Sequence, residues 1–178
     1  MAQETINVLV AFDAETIIKQ YPNPSKDPAK PTPISNNHVY MTVRQSNAFA
    51  GQGGGELNVK ANVEDFIEWR ETTMSRGDKY IALLYAYKAG SSGTSPIDDV
   101  HHTTTDSVNA YLVSQAPDPE FKTDAITGHH WTAEVTHLTK GDRFAYTFSF
   151  ELLEANPGGT STLIGYYSWD PFITVEPR

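Results

Sequence analysis

Every second residue from Phe144 to Leu152 is aromatic or aliphatic, and the residues between them are small or polar. This alternation has the period of a β-strand, whose successive side chains point to opposite faces of a sheet. A sheet needs such an apolar row when one of its faces packs on the core. The stretch therefore predicts a core strand with one buried face, and not an exposed aromatic platform for a ligand.

Eight other segments are similarly rich in β-branched and aromatic residues, and turn-rich sequence separates them. SQAPDPEFKTDAITG, which precedes His129, is interpreted as a long loop. Strands of this length and spacing predict an all-β fold, an antiparallel β-sandwich of about 8–10 strands that is either Ig-like or jelly-roll. The nine predicted strands are Ile6–Asp13, His38–Val43, Glu56–Ala61, Asp65–Thr73, Tyr80–Lys88, Ser107–Ser114, His129–Leu138, Arg143–Glu154 and Gly165–Val175.

Only one segment has helical character, and it predicts one short helix near residues 14–21. Asp13 can cap its first turn, and Pro22 and Pro24 end it. No linker divides the chain into two cores, and a length of 178 residues suits one sandwich. Residues 1–178 are therefore predicted to form a single domain.

The chain is acidic, with a net charge of −9 from 22 acidic and 13 basic residues. This balance argues against nucleic acid and anionic lipid as partners, because both require a basic surface. The N-terminus has no basic region, and its apolar run from Val8 to Phe12 is too short for a signal peptide. No stretch approaches the ~20 apolar residues of a membrane span. The protein is therefore expected in the cytoplasm, with export by a route without a cleaved signal left open.

Cysteine is absent, which excludes a disulfide framework, a thiolate metal site, a blue-copper centre and a cysteine nucleophile. The six histidines include two adjacent pairs, His101–His102 and His129–His130. Neighbouring residues on a strand point to opposite faces, so one pair does not chelate one metal, although two pairs on adjoining strands can each supply a ligand. Because no His-x-His or His-x3-His spacing occurs, neither a metal nor a cofactor is predicted.

Catalytic motifs are equally sparse. The glycine-rich GQGGGE is not followed by a helix pattern with Lys-Ser or Lys-Thr, as a phosphate loop requires, and no Gly-x-Ser-x-Gly elbow occurs. Glu64, Asp65, Glu68 and Glu71 crowd one segment. We interpret these acids as the solvated face of a strand and not as a hydrolytic carboxylate pair. The chain is therefore not predicted to be an enzyme.

FIEWRETT contains the first candidate for ligand binding. Ile67 and Trp69 share a parity and are predicted to lie in the core, while Arg70 faces the other way. Arg70 forms either a surface charge pair with its acidic neighbours, which is worth little, or an Arg–carboxylate fork that holds a ligand or the C-terminal segment.

Aromatic side chains supply the other candidates, because an exposed ring can stack on the apolar face of a sugar. Trp131 and Tyr166 are the rings retained for this role. In the C-terminal GYYSWDPFITV, Trp169 and Ile173 are predicted to be core, and the strand is predicted to turn at Asp170–Pro171. The candidate ligand-binding residues are therefore Arg70, Trp131, Tyr166 and Asp170, with Arg70 and Asp170 as candidate partners.

Four segments carry a family signature in a fixed order: INVLVAFDAETIIKQYPNPSKDP, VYMTVRQSN, GELNVKANVEDFIEWRETT and GYYSWDPFITV. Together they resemble the bacterial inclusion-body protein family typified by PixA and AidA. The resemblance spans nearly the whole chain and is weakest between Ala89 and Thr139. PixA-type proteins are methionine-rich, whereas this chain has three methionines, so it is more similar to the AidA-like branch.

The resemblance implies a bacterial protein linked to intracellular inclusions, quorum-regulated expression and host-associated life, with no established enzyme activity. We therefore expect a non-enzymatic, self-associating protein that forms a homo-oligomer and is inclusion-forming or host-interaction related. The alternative is a carbohydrate-binding, lectin-like module whose surface aromatics hold a glycan or a host-surface ligand.

Overall fold

Two β-sheets pack face to face in the computed structural model, which describes residues 3–75, 79–91, 93–114, 117–139 and 141–177. The described residues form twelve strands, one short α-helix and two 3-10 turns at Asn36–His38 and Gln45–Asn47. The elements are β1 (Thr5–Phe12), α1 (Ala14–Gln20), β2 (Thr32–Pro33), β3 (Val39–Thr42), β4 (Ala48–Ala50), β5 (Asn58–Asn62), β6 (Phe66–Thr73), β7 (Tyr80–Ala89), β8 (Ile97–Ser114), β9 (Glu120–Val135), β10 (Phe144–Asn156), β11 (Thr160–Trp169) and β12 (Phe172–Glu176).

The predicted all-β, sandwich-like fold is confirmed, but its sheets are mixed and not purely antiparallel. The first sheet has the order β3-β1-β6-β9-β8, and the second has the order β2-β11-β10-β12-β5-β4, with β7 paired to β10. Parallel pairs join β1 to β6, β11 to β2 and β12 to β5. A parallel pair needs a long crossover connection. The chain between β1 and β6 supplies one, since it contains α1 and four short strands, of which β3 belongs to the first sheet and β2, β4 and β5 belong to the second.

The predicted helix is confirmed within the expected segment. It runs from Ala14 to Gln20, and the Asp13 carboxylate accepts a hydrogen bond from the Thr16 backbone N–H at 3.1 Å. This bond satisfies one of the N–H groups that the first turn leaves unpaired. Among the described residues, no helix is long and apolar enough to cross a membrane.

The core lies between the two sheets and is dominated by aromatic rings. Phe12 stacks on Phe150 with 4.0 Å between ring centroids, and the Trp69 indole N–H donates to the Tyr146 hydroxyl at 3.2 Å. The alternating row from Phe144 to Leu152 is buried at every second position, as predicted. Burial raises the pKa of the Tyr146 phenol above its ordinary value, because the phenolate would lose its hydration.

The C-terminal stretch divides into β11 and β12 on either side of Asp170–Pro171. Trp169 lies opposite Phe148, and Ile173 lies opposite Phe144, so both strands keep one register along β10. The Pro171 carbonyl accepts the Tyr146 backbone N–H at 3.1 Å, which carries the ladder across the break. Trp169 and Ile173 are buried, as predicted. After the interruption at Pro171, β12 pairs with β10 on one edge and with β5 on the other. Trp169 and Ile173 still point to the same, buried face of the sheet.

Candidate functional site

Trp131, the main ring of the proposed sugar platform, is buried. Its side chain lies in the core on β9, 8% exposed, with its ring centroid 5.7 Å from that of Phe148. The indole N–H donates to the Leu84 carbonyl at 3.0 Å. A ring that is 8% exposed offers almost no surface to a sugar, so Trp131 is not one of the surface aromatics that such a platform requires. The reason is parity: Trp131 lies directly opposite the core residue Trp69.

The other candidate residues lie in two different sheets. Arg70, on β6, makes an ion pair with Glu68 at 3.4 Å, which is the surface pair that the sequence allowed. Asp170 lies exposed at the break between β11 and β12, and no hydrogen bond or ion pair joins it to Arg70. Tyr166 is half-buried and meets the Tyr85 ring edge-on at 5.2 Å. The structure therefore brings none of these candidate residues into a common cleft.

Glu71 is an acid that sequence reasoning placed wrongly. It was assigned to a solvated face, yet its side chain is only 1% exposed because it continues the inward parity of Ile67 and Trp69. Its Oε1 atom accepts the Leu84 backbone N–H at 3.1 Å and lies 2.5 Å from Nε2 of His129. Its Oε2 atom is buried without a hydrogen-bond partner among the described residues. Asp65, from the same acidic segment, is also buried and accepts the backbone N–H groups of Glu4 and Asn62.

Glu71 and Trp131 together satisfy both backbone groups of Leu84. Leu84 lies on β7, which pairs with β10 on one side, and a register shift between Ser149 and Phe150 marks a bulge beside it. The free edge of β7 would otherwise present an open N–H and C=O, which template pairing with another chain. The carboxylate and the indole of the first sheet bind these two groups. We call Glu71, Trp131 and Leu84 the cross-sheet clasp, and it gives the buried acid a structural role.

The histidine pairs are divided between the two faces of their strands, as strand geometry requires. His129 contacts Glu71, while His130 points to the opposite face with its Nε2 atom 3.7 Å from Glu68. His102 lies beside His129 on the adjoining strand, with 5.6 Å between ring centroids. Within the described part of the chain, no three His, Asp or Glu side chains are grouped so as to hold a metal ion.

The most distinctive feature is a hairpin that extends beyond both sheets. β9 pairs with β6 only from Trp131 to Glu134, whereas β8 and β9 continue to pair with each other from Thr104–His129 to Ser114–Glu120. We call this two-stranded extension, Thr104–Ser114 with Glu120–His129, the arm. At a rise of about 3.3 Å per residue it is about 35 Å long. Sequence reasoning assigned its second half to a loop, because EFKTDAITG lacks a clean alternation of apolar and polar residues.

One face of the arm is apolar and uncovered. The face that continues the parity of Trp131 carries Val108, Leu112 and Phe121, which are 68%, 50% and 68% exposed. Leu112 and Phe121 lie directly opposite each other, so their side chains form one patch. Ala110 and Ala125 extend the patch along the ribbon. Contiguous exposed apolar surface of this kind marks an interaction site.

A two-stranded hairpin alone is marginally stable in water. The pairing of β9 with β6 ends at Trp131, so among the described residues no strand flanks the arm beyond that point. Both observations make the arm a surface that could be stabilised by packing against another molecule. It is therefore the candidate functional site.

Comparison with known proteins gives a consistent family assignment. The family model described as "PixA: Inclusion body protein" matches residues 4–175. Among solved structures, the chain is similar to the crystal structure of an inclusion body protein of the PixA family from Burkholderia cenocepacia J2315. The two chains are 21% identical, the match covers 99% of this chain and 98% of that one, and the TM-score is 0.82. No curated protein matches the chain significantly.

Proposed function

The chain belongs to the PixA inclusion body protein family, and on that premise we propose that it is a non-enzymatic protein that works by associating with copies of itself through the arm. The proposal places the protein in cytoplasmic inclusions of a host-associated bacterium. The observation that carries it is the apolar face of the arm, which the single chain leaves in water. The chemistry of the clasp agrees with a non-catalytic role, since Glu71 and Trp131 are engaged in binding Leu84 of the other sheet.

The free energy of such an association can be estimated from the exposed apolar side chains of the arm. Full burial of one Val, Leu or Phe is worth about 1.5–3 kcal/mol. Val108, Leu112 and Phe121 still expose half to two thirds of their surface, so docking one arm on an equally apolar surface gains about 6–12 kcal/mol over both partners. Association costs about 4–15 kcal/mol in lost freedom. The two terms are comparable, so association is expected at high protein concentration, as inside an abundant product, and not at trace levels.

Sedimentation velocity over a concentration series tests this function. Wild-type protein from about 10 µM to about 1 mM should shift from monomer to larger species, and Phe121→Asp should remain monomeric over the same range. Leu9→Asp is the matched control, because Leu9 is 48% exposed on β1, outside the arm. A wild-type protein that stays monomeric at the highest concentration contradicts the proposal.

The carbohydrate-binding alternative has less support. Its remaining ring is Tyr166, which is half-buried against Tyr85. A glycan array with wild type and Tyr166→Ala decides it. Hits that disappear in the variant favour this function, and an array without hits removes it.

A further inference from the structure

An apolar groove lies at the end of β9 opposite to the tip of the arm. Phe49 and Leu138, 53% and 43% exposed, form its walls together with Pro177, and Val175 contributes to its floor. The groove has a volume of about 520 Å³. Leu138 follows the end of β9 closely, and the Thr139 backbone N–H donates to the Val175 carbonyl at 3.3 Å. We call this site the basal groove.

Arm tip and basal groove lie at opposite ends of one strand. β9 runs 16 residues, from Glu120 in the arm to Val135 near the groove, which is about 50 Å at about 3.3 Å per residue. A single chain cannot bring the two surfaces together. A second copy of the chain, displaced along the direction of β9, can place its arm in the groove of the first.

We propose that the apolar face of the arm of one copy docks in the basal groove of the next, with Phe121 as its main anchor. This inference rests on the proposed function, self-association through the arm, and names the surface that receives it. The groove has the size of an ordinary side-chain or ligand pocket. Phe121 is 68% exposed and close to the arm tip, so its ring can enter the groove before the rest of the ribbon makes contact.

Charge favours the groove over a second arm as the receiving surface. Residues 104–129 contain four acids, Asp106, Asp118, Glu120 and Asp124, against one lysine, Lys122, a net charge of −3. Asp106 lies on the apolar face, whereas Glu120, Lys122 and Asp124 lie on the opposite face. Two arms packed face to face would therefore bring the two Asp106 carboxylates into the contact between two ribbons of net negative charge, and like charges across an interface oppose binding.

The surface around the groove lacks this excess of negative charge. Glu176, in its wall, is paired with Lys60 at 2.7 Å. Arg143, beside Leu138, lies 3.8 Å above the Phe172 ring and forms no ion pair with a described carboxylate, although Asp142 precedes it. An acidic arm therefore meets less repulsion at the groove than at another arm.

The geometry of this contact has a consequence for assembly. Arm and groove are different surfaces, so the contact is heterologous, and a pair of copies keeps one free groove on the first copy and one free arm on the second. Such a contact does not close at two copies unless its rotation happens to form a ring. Face-to-face pairing of two arms would instead stop at a dimer. Head-to-tail docking thus supplies the open-ended growth that an inclusion requires.

A mixing experiment with two variants tests the inference. Phe121→Asp keeps the groove and loses the arm anchor, and Phe49→Asp keeps the arm and alters the groove. Each variant alone should sediment as a monomer, because loss of one Phe contact weakens binding about 10-fold or more. Mixed in equal amounts, they should form a 1:1 complex that does not grow, since only one intact arm and one intact groove can meet.

Three outcomes separate the hypotheses. If Phe49→Asp associates as wild type does while Phe121→Asp does not, arm–arm pairing is correct and the basal groove is wrong. If each variant is monomeric and the mixture forms no complex, the head-to-tail contact is overturned. If wild type itself is monomeric, the proposed function fails together with this inference.

Further variants and folding measurements distinguish a loss of association from a loss of folding. Ile126→Asp changes an exposed residue on the opposite face of the arm and should associate as wild type does. Val108→Asp and Leu138→Asp repeat the two tests at independent positions of the arm and the groove. Far-UV circular dichroism and thermal melts verify that every variant is folded.

Discussion

Removing the Glu71 carboxylate is expected to destabilise the protein although acids of exposed strands are usually dispensable. Glu71 is 1% exposed at its side chain and accepts the Leu84 backbone N–H at 3.1 Å. In Glu71→Ala the Leu84 N–H loses its acceptor, because it lies on the edge of β7 that pairs with no other strand. The clasp is then reduced to the bond from Trp131 to the Leu84 carbonyl.

The magnitude follows from the balance of two terms. A buried donor left without a partner costs about 1–3 kcal/mol. In the opposite direction, Glu71→Ala removes the cost of burying the Oε2 atom, which has no hydrogen-bond partner among the described residues, and this offsets part of the loss. We therefore expect Glu71→Ala to lower the free energy of unfolding by about 1–3 kcal/mol. Glu71→Gln keeps an oxygen acceptor for Leu84 and should cost about 0–1 kcal/mol.

Glu68→Ala is the matched control, because Glu68 lies on the same strand but on the outer face, where it pairs with Arg70. Such surface pairs contribute about 0–1 kcal/mol. Urea unfolding of the three variants and wild type measures the differences through the shift in midpoint at constant slope. The reasoning is refuted if Glu71→Ala is no more costly than Glu68→Ala, or if Glu71→Gln is as costly as Glu71→Ala.

Three further measurements probe the core and one close backbone approach. Burial raises the pKa of Tyr167 to about 12, above the unfolded value of about 10; the neutral phenol therefore stabilises the fold fully below about pH 10, and this stability is lost as the pH rises through about 12. Tyrosinate absorbance in an alkaline titration should show late ionisation that Tyr167→Phe reduces but does not abolish, because Tyr146 is buried as well; ionisation of all tyrosines together near pH 10 would argue against it. Tyr146→Phe leaves the Trp69 indole N–H without its acceptor and should cost about 1–3 kcal/mol in urea unfolding, whereas a neutral effect would mean that this bond is not formed. Gly90→Ala places a Cβ against the Ala145 carbonyl oxygen and should lower the free energy of unfolding by about 1–3 kcal/mol. Gly128→Ala is the control, because no atom lies nearer than 3.7 Å to its new Cβ, and it should be close to neutral. Equal melting temperatures for the two variants would contradict the close packing at Gly90.

The elements that the sequence predicted well are those whose own residues decide their structure. The row from Phe144 to Leu152 alternates without interruption, and the helix after Asp13 has both a cap and a proline stop. Trp169 and Ile173 could be assigned to the core because a large apolar residue at a fixed parity has no other stable place. These assignments need no knowledge of which strands are neighbours.

Sheet order and strand direction could not be predicted in the same way. The parallel pairing of β1 with β6 depends on contacts between residues far apart in the chain, and neither strand differs in composition from an antiparallel one. Short strands such as β2 and β4 have two and three residues and no pattern of their own. Their pairing is imposed by the neighbouring strand.

The candidate site was missed for a related reason. Sequence reasoning searched for exposed aromatics and found Trp131, because a ring in a strand gives no sign of which face is covered. The arm escaped notice since its second strand, from Glu120 onward, mixes charged, small and apolar residues. One signal was present: Leu112 and Phe121 flank a short turn segment containing Pro117 and Pro119, as in a hairpin.

Shortening the arm tests the central claim most directly. Residues 105–128 would be replaced by Asn-Gly, a two-residue turn suited to close β8 onto β9. Because the two sheets hold the core without the arm, the shortened protein should remain folded with nearly unchanged thermal stability. In sedimentation velocity it should stay monomeric at concentrations where wild type forms larger species. A shortened, folded protein that associates as wild type does would contradict the account.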